Sequence, residues 1–328
     1  MRGKHFKFLR YFFNELLAAF ILFPRVLIMR ISGKVNIVHF HGESYVPLIS
    51  LLCKRFLDLP IIVTSHGEPA HFFQLRNSRI FLWIWSKTAK SVNHLAIVGK
   101  PLKDRFLYLG FEKSKIITIH NGHDSQAGNR SLTERFRERY QNKIILVSVA
   151  RLVELKGIDT TLKAISIVKK VFDDDSLVYV HVGDGPIKGK LQKIVEDFAL
   201  DDTVQFLGHL TYGDAMSVMK SGDIFVLPSW GDAFGIVYLE AMSRGLPSIG
   251  CRGAGAEETI VDGETGFLID KDDAAALART IIDLILDAKK RKRLALAAEQ
   301  HAKLFTWARN AERYSMLYES LLVTRDRF

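Results

Sequence analysis

"KIILVSVARLVELKGIDTTLKAISIVKKVF", Lys143 to Phe172, reads as one strand, one loop and one helix. "IILVSV" is a continuous, β-branched apolar run, the pattern of a parallel strand buried on both faces. "GIDTTLKAISIVKKVF" repeats its apolar residues at intervals of three and four, as a helix with one buried stripe does. The alternation extends in both directions. "VNIVHF", "PIIVTS", "HLAIVG" and "KIITIH" read as earlier strands, and "SLVYVHVG", "TVQFLG", "IFVLPS" and "PSIGC" as later ones, with helix patterns between them. This implies an α/β chain of two doubly wound, Rossmann-like sheets. The polar stretch that begins at Asn121-Gly122 is the natural boundary between them.

Composition agrees with two globular domains. The chain has 328 residues, 48% hydrophobic and 25% charged. Its net charge of +10 is unevenly spread: residues 1–125 carry 18 Lys and Arg against 7 Asp and Glu, and residues 126–328 carry 28 against 29. A basic N-terminal half suits nucleic acid, an anionic membrane surface or an acidic substrate. Cys53 and Cys251 stand far apart in apolar settings, so a reducing compartment and no disulfide framework are expected. The longest charge-free run of the N-terminal segment, Leu16 to Pro24, is short of the ~20 residues a spanning helix needs. A buried helix of the first domain is expected there, with a basic amphipathic helix lying on a membrane as the alternative.

In open α/β sheets ligands bind off the carboxyl ends of the strands, so the residues just after each strand matter most. Arg151 and Lys156 follow "IILVSVA", close to the start of the helix near Gly157, where free N–H groups also attract anions. "GDGP", Gly183 to Pro186, follows the next strand and allows a close backbone approach. "SWGDAFGIVYLEAMSRGLPSIG", Ser229 to Gly250, follows another and holds Asp232 and Glu240. Cations for phosphates and a carboxylate for vicinal hydroxyls together suit a nucleotide-sugar.

These residues resemble a known family. "VARLVELKGIDTTLKAI", "VHVGDGP", "VQFLGHL", "SGDIFVLPSWGDAFGIVYLEAMSRGLPSIG" and "GAGAEETIVDGETGFLI" follow one another with the order and spacing of retaining GT-B glycosyltransferases of family 4. "VNIVHFHG", "PIIVTSHGE", "IITIHNGHD" and "FTWARNAERYSMLYESLL" extend the likeness from about Val35 to Leu322. The resemblance implies two domains facing a cleft: an acceptor-side domain over 1–124, a nucleotide-sugar domain over 125–305, and a final helix, 306–328, that packs back toward the first. Arg151 and Lys156 match the pair that grips the donor pyrophosphate. Glu240 matches the carboxylate that binds the ribose hydroxyls. Asp232 stands where the family has a Glu that meets the transferred sugar with backbone N–H groups of Phe234, Gly235 and Ile236, and its shorter side chain leaves the sugar's identity open. Leu210 matches a backbone contact to the base, Glu258 a loop acid near the donor, and His66 a first-domain histidine that reaches the sugar.

The activity implied is transfer of a hexose from a UDP- or GDP-linked donor to a glycan or lipid-linked acceptor, with retention and without metal or other cofactor. Arg151, Lys156 and a helix N-terminus would stabilise charge on the leaving diphosphate, and domain closure would exclude water. The basic first domain, with "HFKFLRYFF" and "HFFQLRNSRIFLWIWSK", fits a cytoplasmic protein held peripherally on the inner face of the membrane. No motif that reads nucleic acid is present, so that partner is not expected.

Other readings of single features are blander. Asp173 to Asp175 in "FDDDS" resembles an acidic metal motif but falls in a helix-to-strand loop, on the wrong side of the sheet. His39, His41, His66 and His71 could hold a metal, although strand-end packing accounts for them as well. "KKRKR", Lys289 to Arg293, reads as a solvated helix face. The family's opening strand and glycine-rich loop are not found, since only 34 residues precede "VNIVHFHG". Three accounts of that are open: a longer natural chain, a partner chain that supplies the missing elements, and a non-catalytic nucleotide-sugar-binding protein.

Overall fold

The structure is a computed structural model of the chain and describes residues 2–43, 46–67, 78–124, 128–172 and 176–325. The fold divides into two compact units, one of residues 1–120 with 310–328 and one of residues 121–309. The division falls at Asn121, at the start of the polar stretch.

The first unit contains α1 (Arg2–Ile31), β1 (Val38–His41), α2 (Val46–Leu52), β2 (Ile61–Ser65), α3 (Arg79–Ser91), β3 (His94–Ile97), α4 (Lys103–Tyr108) and β4 (Ile116–Thr118). Its four strands are parallel in the order β1-β2-β3-β4, with Val38 beside Ile61, Ile62 beside His94 and Leu95 beside Ile116. Every residue of β2 is buried, as its unbroken apolar run requires. α3 begins where the Ser78 hydroxyl accepts from Phe81 N, and it buries Phe81, Trp85 and Ala89.

α1 departs from the expectation of a buried helix and from that of an apolar stretch too short to span a membrane. It runs unbroken through Pro24, and the 20 residues Phe12–Ile31 are long and apolar enough to cross a membrane by length and composition. Only 11% of that stretch is buried, and Phe13, Phe20, Ile28 and Ile31 are exposed. The expectation of a spanning length not reached counted only the charge-free run. Isolated Glu15 and Arg25 do not end an apolar helix, and Glu15 is in fact buried, its Oε2 accepting from Leu48 N at 3.4 Å. Nor is α1 a core helix: it touches the unit through α2 and the turn behind it, where Phe23 meets Phe56 edge-on.

The second unit contains α5 (Arg130–Arg139), β5 (Ile144–Val149), α6 (Ile158–Val168), β6 (Leu177–Val182), α7 (Lys188–Asp197), β7 (Val204–Phe206), α8 (Tyr212–Lys220), β8 (Ile224–Val226), α9 (Ile236–Met242), β9 (Ser248–Cys251), β10 (Gly266–Ile269), α10 (Ala274–Leu286) and α11 (Ala288–Ala302). Its six parallel strands lie in the order β10-β9-β8-β5-β6-β7. The order reverses between β5 and β8, where Leu146 lies beside Ile224, so this is a doubly wound sheet with its switch point there. Ile145, Leu146 and Val147 are fully buried, and α6 packs Leu162, Ile165 and Val168 near Leu277, Ile281 and Leu284 of α10. Each such side chain contributes about 1.5–3 kcal/mol on burial. Asp273 and Asp287 cap α10 and α11 through Ala276 N and Lys290 N. Lys289 to Arg293 lie at the start of α11, where Lys290 pairs with Asp283 and Lys289, Lys292 and Arg293 are exposed.

The last helix, α12 (Trp307–Arg325), gives its Asn310–Arg325 portion to the first unit. Tyr314, Leu317 and Tyr318 pack there on Ala96, Ile117 and Ile119, and Tyr314 Oη lies 2.7 Å from Thr64 Oγ1. Cys53 and Cys251 are buried free thiols.

Candidate functional site

The loops after β5 and β8 leave the sheet at its switch point and are laced together. Ser229 Oγ and Trp230 N both donate to Leu155 O, at 3.1 and 3.0 Å. Gly157, which starts α6, has φ +65°, and a Cβ on it would lie 2.4 Å from Pro228 O, so neither the backbone turn nor the contact admits a side chain. This lacing sets Lys156 Nζ 2.5 Å from Asp232 Oδ1, with both side chains 18% exposed. Asp232 Oδ2 is buried and has no hydrogen-bond partner among the described residues. Lys156, expected on a phosphate, is thus paired with Asp232. One buried carboxylate oxygen is left with its accepting capacity unused.

The loop after β6 makes its close approach to protein. A Cβ on Gly183 would lie 1.9 Å from Ala150 O, Leu152 N donates to Asp184 O at 3.0 Å, and Gly183 N donates to Gly208 O at 2.8 Å. The glycine thus joins the loops after β5, β6 and β7 into one wall. Beside that wall is a cavity of about 580 Å³, lined by Arg151, Gly183, Leu210, Tyr212, Met216 and Glu240 among others. Its size is in the range of small-molecule sites. The Arg151 side chain is exposed, and its guanidinium makes no hydrogen bond or ion pair among the described residues.

Glu240 projects from α9, whose start at Gly235 is held in the left-handed region with φ +76°. Tyr212 Oη donates to Glu240 Oε1 at 2.8 Å, and Arg244 donates to the Glu240 carbonyl at 2.7 Å. Burial pushes the Glu240 carboxyl above the usual range, opposed by the Tyr212 hydrogen bond and the charge of Arg244. Burial, with the Glu240 carboxylate behind it, pushes the Tyr212 phenol up to about 12. Tyr212 was not among the residues singled out from the sequence. The available signal was an aromatic hydroxyl two positions after Leu210, opening a helix capped by Thr211.

Of the residues expected at a donor site, Arg151, Leu210 and Glu240 line this cavity, and Lys156 pairs with Asp232 at the switch point. Phe234, Gly235 and Ile236 form the turn into α9 and Glu258 ends a 3-10 turn, none of them in the cavity lining. Gly255 N donates to Asp232 O at 2.7 Å, which brings the turn of Glu258 against the loop of Asp232.

His66 belongs to the first unit, just past β2. Its ring stacks on His41 at 5.4 Å between centroids, with Nε2 3.1 Å from His41 Nδ1. Both nitrogens of His39 are engaged, by Tyr318 Oη at 2.6 Å and Thr64 Oγ1 at 2.7 Å, which accounts for His39 as packing. Burial and the neighbouring imidazoles lower His39 to about 4 and lower His66 as well, so both are neutral near pH 7. Among the described residues no three His, Cys, Asp or Glu side chains are grouped to hold a metal. His71 and Asp173 to Asp175 lie outside the described residues.

Residues 130–301, just over half of the chain, match the family model described as glycosyl transferases group 1, and residues 2–127 match that of glycosyltransferase family 4. The chain is 31% identical to a D-inositol 3-phosphate glycosyltransferase of Corynebacterium kroppenstedtii over 60% of its own length and 45% of the relative's. It is 26% identical to the GDP-mannose-dependent alpha-(1-6)-phosphatidylinositol monomannoside mannosyltransferase of Mycolicibacterium smegmatis, over 85% of this chain and 75% of that one. The chain thus spans under half of the first relative and three quarters of the second. Among solved structures, Anabaena HepE in complex with UDP superposes with a TM-score of 0.77 at 18% identity, covering 90% of this chain and 81% of that one. At that identity the likeness shows the fold: two Rossmann-like parallel α/β domains of GT-B type.

Proposed function

The chain belongs to the glycosyl transferases group 1 family, and on that premise we propose that it moves a hexose from a UDP- or GDP-linked donor to a glycan or lipid-linked glycan, with retention of configuration, in building surface polysaccharide or glycolipid. The observation that carries this reading is the cavity of Arg151, Gly183, Leu210 and Glu240 in the doubly wound sheet, with the Lys156–Asp232 pair at the switch point. Arg151 and Lys156 supply cationic contacts for a diphosphate, and Glu240 supplies acceptors for a ribose diol. The unpartnered Oδ2 of Asp232 suits a hydroxyl of the transferred sugar. As the diphosphate leaves, its growing charge falls beside Lys156 and the start of α6, so stabilisation is electrostatic and requires neither a side-chain nucleophile nor a metal.

Calorimetric titration of UDP and GDP into the full chain, with Glu240→Ala alongside, tests the donor half. Binding of one nucleotide, weakened by the substitution, supports the reading, and binding that ignores the substitution refutes it. NMR of the product's anomeric proton tests retention, and turnover in excess chelator tests metal independence. His66 is the residue we assign to the transfer itself: His66→Ala should lower turnover and leave nucleotide affinity within about twofold.

A non-catalytic nucleotide-sugar-binding protein, or one subunit of a split transferase, is the competing reading. It predicts nucleotide binding with no transfer by this chain alone to any lipid-linked acceptor. For the acceptor we propose a lipid-linked glycan met at the inner face of an anionic membrane, the chain itself being cytoplasmic and peripheral. Support comes from the basic N-terminal half, the exposed apolar residues of α1, and exposed Phe56 and Trp83 in the same unit.

A further inference from the structure

Tyr212 and Glu240 come from different helices, each anchored by its own buried face. Ala215, Met216, Val218 and Met219 bury α8, and the Thr211 hydroxyl, accepting from Asp214 N, sets where it begins. Tyr238, Leu239, Ala241 and Met242 bury α9, and Tyr238 Oη donates to Leu227 O at 2.6 Å. The 2.8 Å bond from Tyr212 Oη to Glu240 Oε1 therefore spans two anchored elements at the wall of the cavity. A glutamate has three rotatable side-chain bonds and, unheld, loses binding free energy when a ligand freezes it. Tyrosine has two and a rigid ring. An ionised carboxylate offers about four acceptor positions, so the tyrosine occupies one and leaves Oε2 whole for a ligand.

We propose that Tyr212 is a positioning residue for Glu240 and through it sets the preference of this site for ribonucleotides over 2′-deoxyribonucleotides. The proposal rests on the reading of Glu240 as the acceptor of the ribose hydroxyls. Its further content is that the carboxylate discriminates only while the tyrosine holds it. The phenol, kept protonated by its surroundings, keeps its hydrogen for Glu240 Oε1 at working pH.

The experiment is calorimetric titration of UDP and 2′-deoxy-UDP, and of GDP and 2′-deoxy-GDP, into the full chain, Tyr212→Phe, Glu240→Ala and the double variant. For the nucleotide that binds, the unsubstituted chain should prefer the ribo form by roughly tenfold or more, the worth of a hydrogen bond to a charged group. Tyr212→Phe should lower ribonucleotide affinity by about fivefold and leave the deoxy form within about twofold, shrinking the ratio. The double variant should bind no more weakly than Glu240→Ala. Equal weakening of both forms by Tyr212→Phe, which keeps the ring and loses only the hydroxyl, overturns the proposal, as does an unchanged ratio. A ratio near one in the unsubstituted chain, or binding of none of the four, overturns the reading of Glu240 together with it. A large ratio untouched by Tyr212→Phe overturns only the role of Tyr212.

Discussion

Replacing Lys156 by methionine keeps most of the side-chain stem and removes the charge that faces Asp232. Asp232 would then hold a carboxylate with Oδ1 newly unpaired and Oδ2 already without a partner. Removing one member of a fully buried ion pair costs ~3–5 kcal/mol, and the 18% exposure of each side chain reduces this, so we expect about 2 kcal/mol. For a unit of this size that lowers its melting temperature by roughly 4–8 °C. The reverse change, Asp232→Asn, should cost under about 1 kcal/mol, because the lysine stem can carry its ammonium to water and an amide oxygen still accepts from it. Adding Asp232→Asn to Lys156→Met should recover about 1 kcal/mol, since it removes the stranded charge. Thermal unfolding by circular dichroism and calorimetry on all four proteins measures the cycle. Equal costs for the two single variants, or both under about 0.5 kcal/mol, would show a pair that behaves as if in water and would refute the reasoning.

Gly183→Ala should destabilise the second unit by about 3 kcal/mol or more, because its Cβ would fall 1.9 Å from Ala150 O and no side-chain rotation relieves a clash with backbone; denaturant melts read this directly. Nucleotide affinity should fall on acidification from a pH above the ordinary Glu value of about 4.3, since burial raises the Glu240 carboxyl and only its charged form accepts both ribose hydroxyls; calorimetry across pH, flattened in Glu240→Gln, checks the sign. The full chain should stay with anionic vesicles in about 1 M salt, because salt screens basic residues and not buried apolar area. Leu17→Glu with Phe20→Glu should release it, and release of the unsubstituted chain by salt alone would leave α1 no part in attachment.

Much of this protein is legible along the chain. The continuous β-branched runs of β2, β5 and β6 read as strands buried on both faces, and the three-and-four spacing of α6 as a helix with one buried face. With the post-strand positions of Arg151, Asp232 and Glu240, they lead to two parallel sheets and a ligand at strand ends. Tertiary structure decided what depends on residues far apart in sequence. The strand order that puts the switch point between β5 and β8 is a matter of pairing, which local periodicity does not encode. So is the Lys156–Asp232 bond, 76 positions apart, and the Tyr212–Glu240 bond, 28 apart. "GDGP" announces a close approach in sequence, but only the fold shows that Ala150 is the neighbour. α1 makes the same point in reverse. Its sequence allows a buried helix, but burial is a property of neighbours, and among its described apolar side chains Phe13, Phe20, Ile28 and Ile31 are exposed.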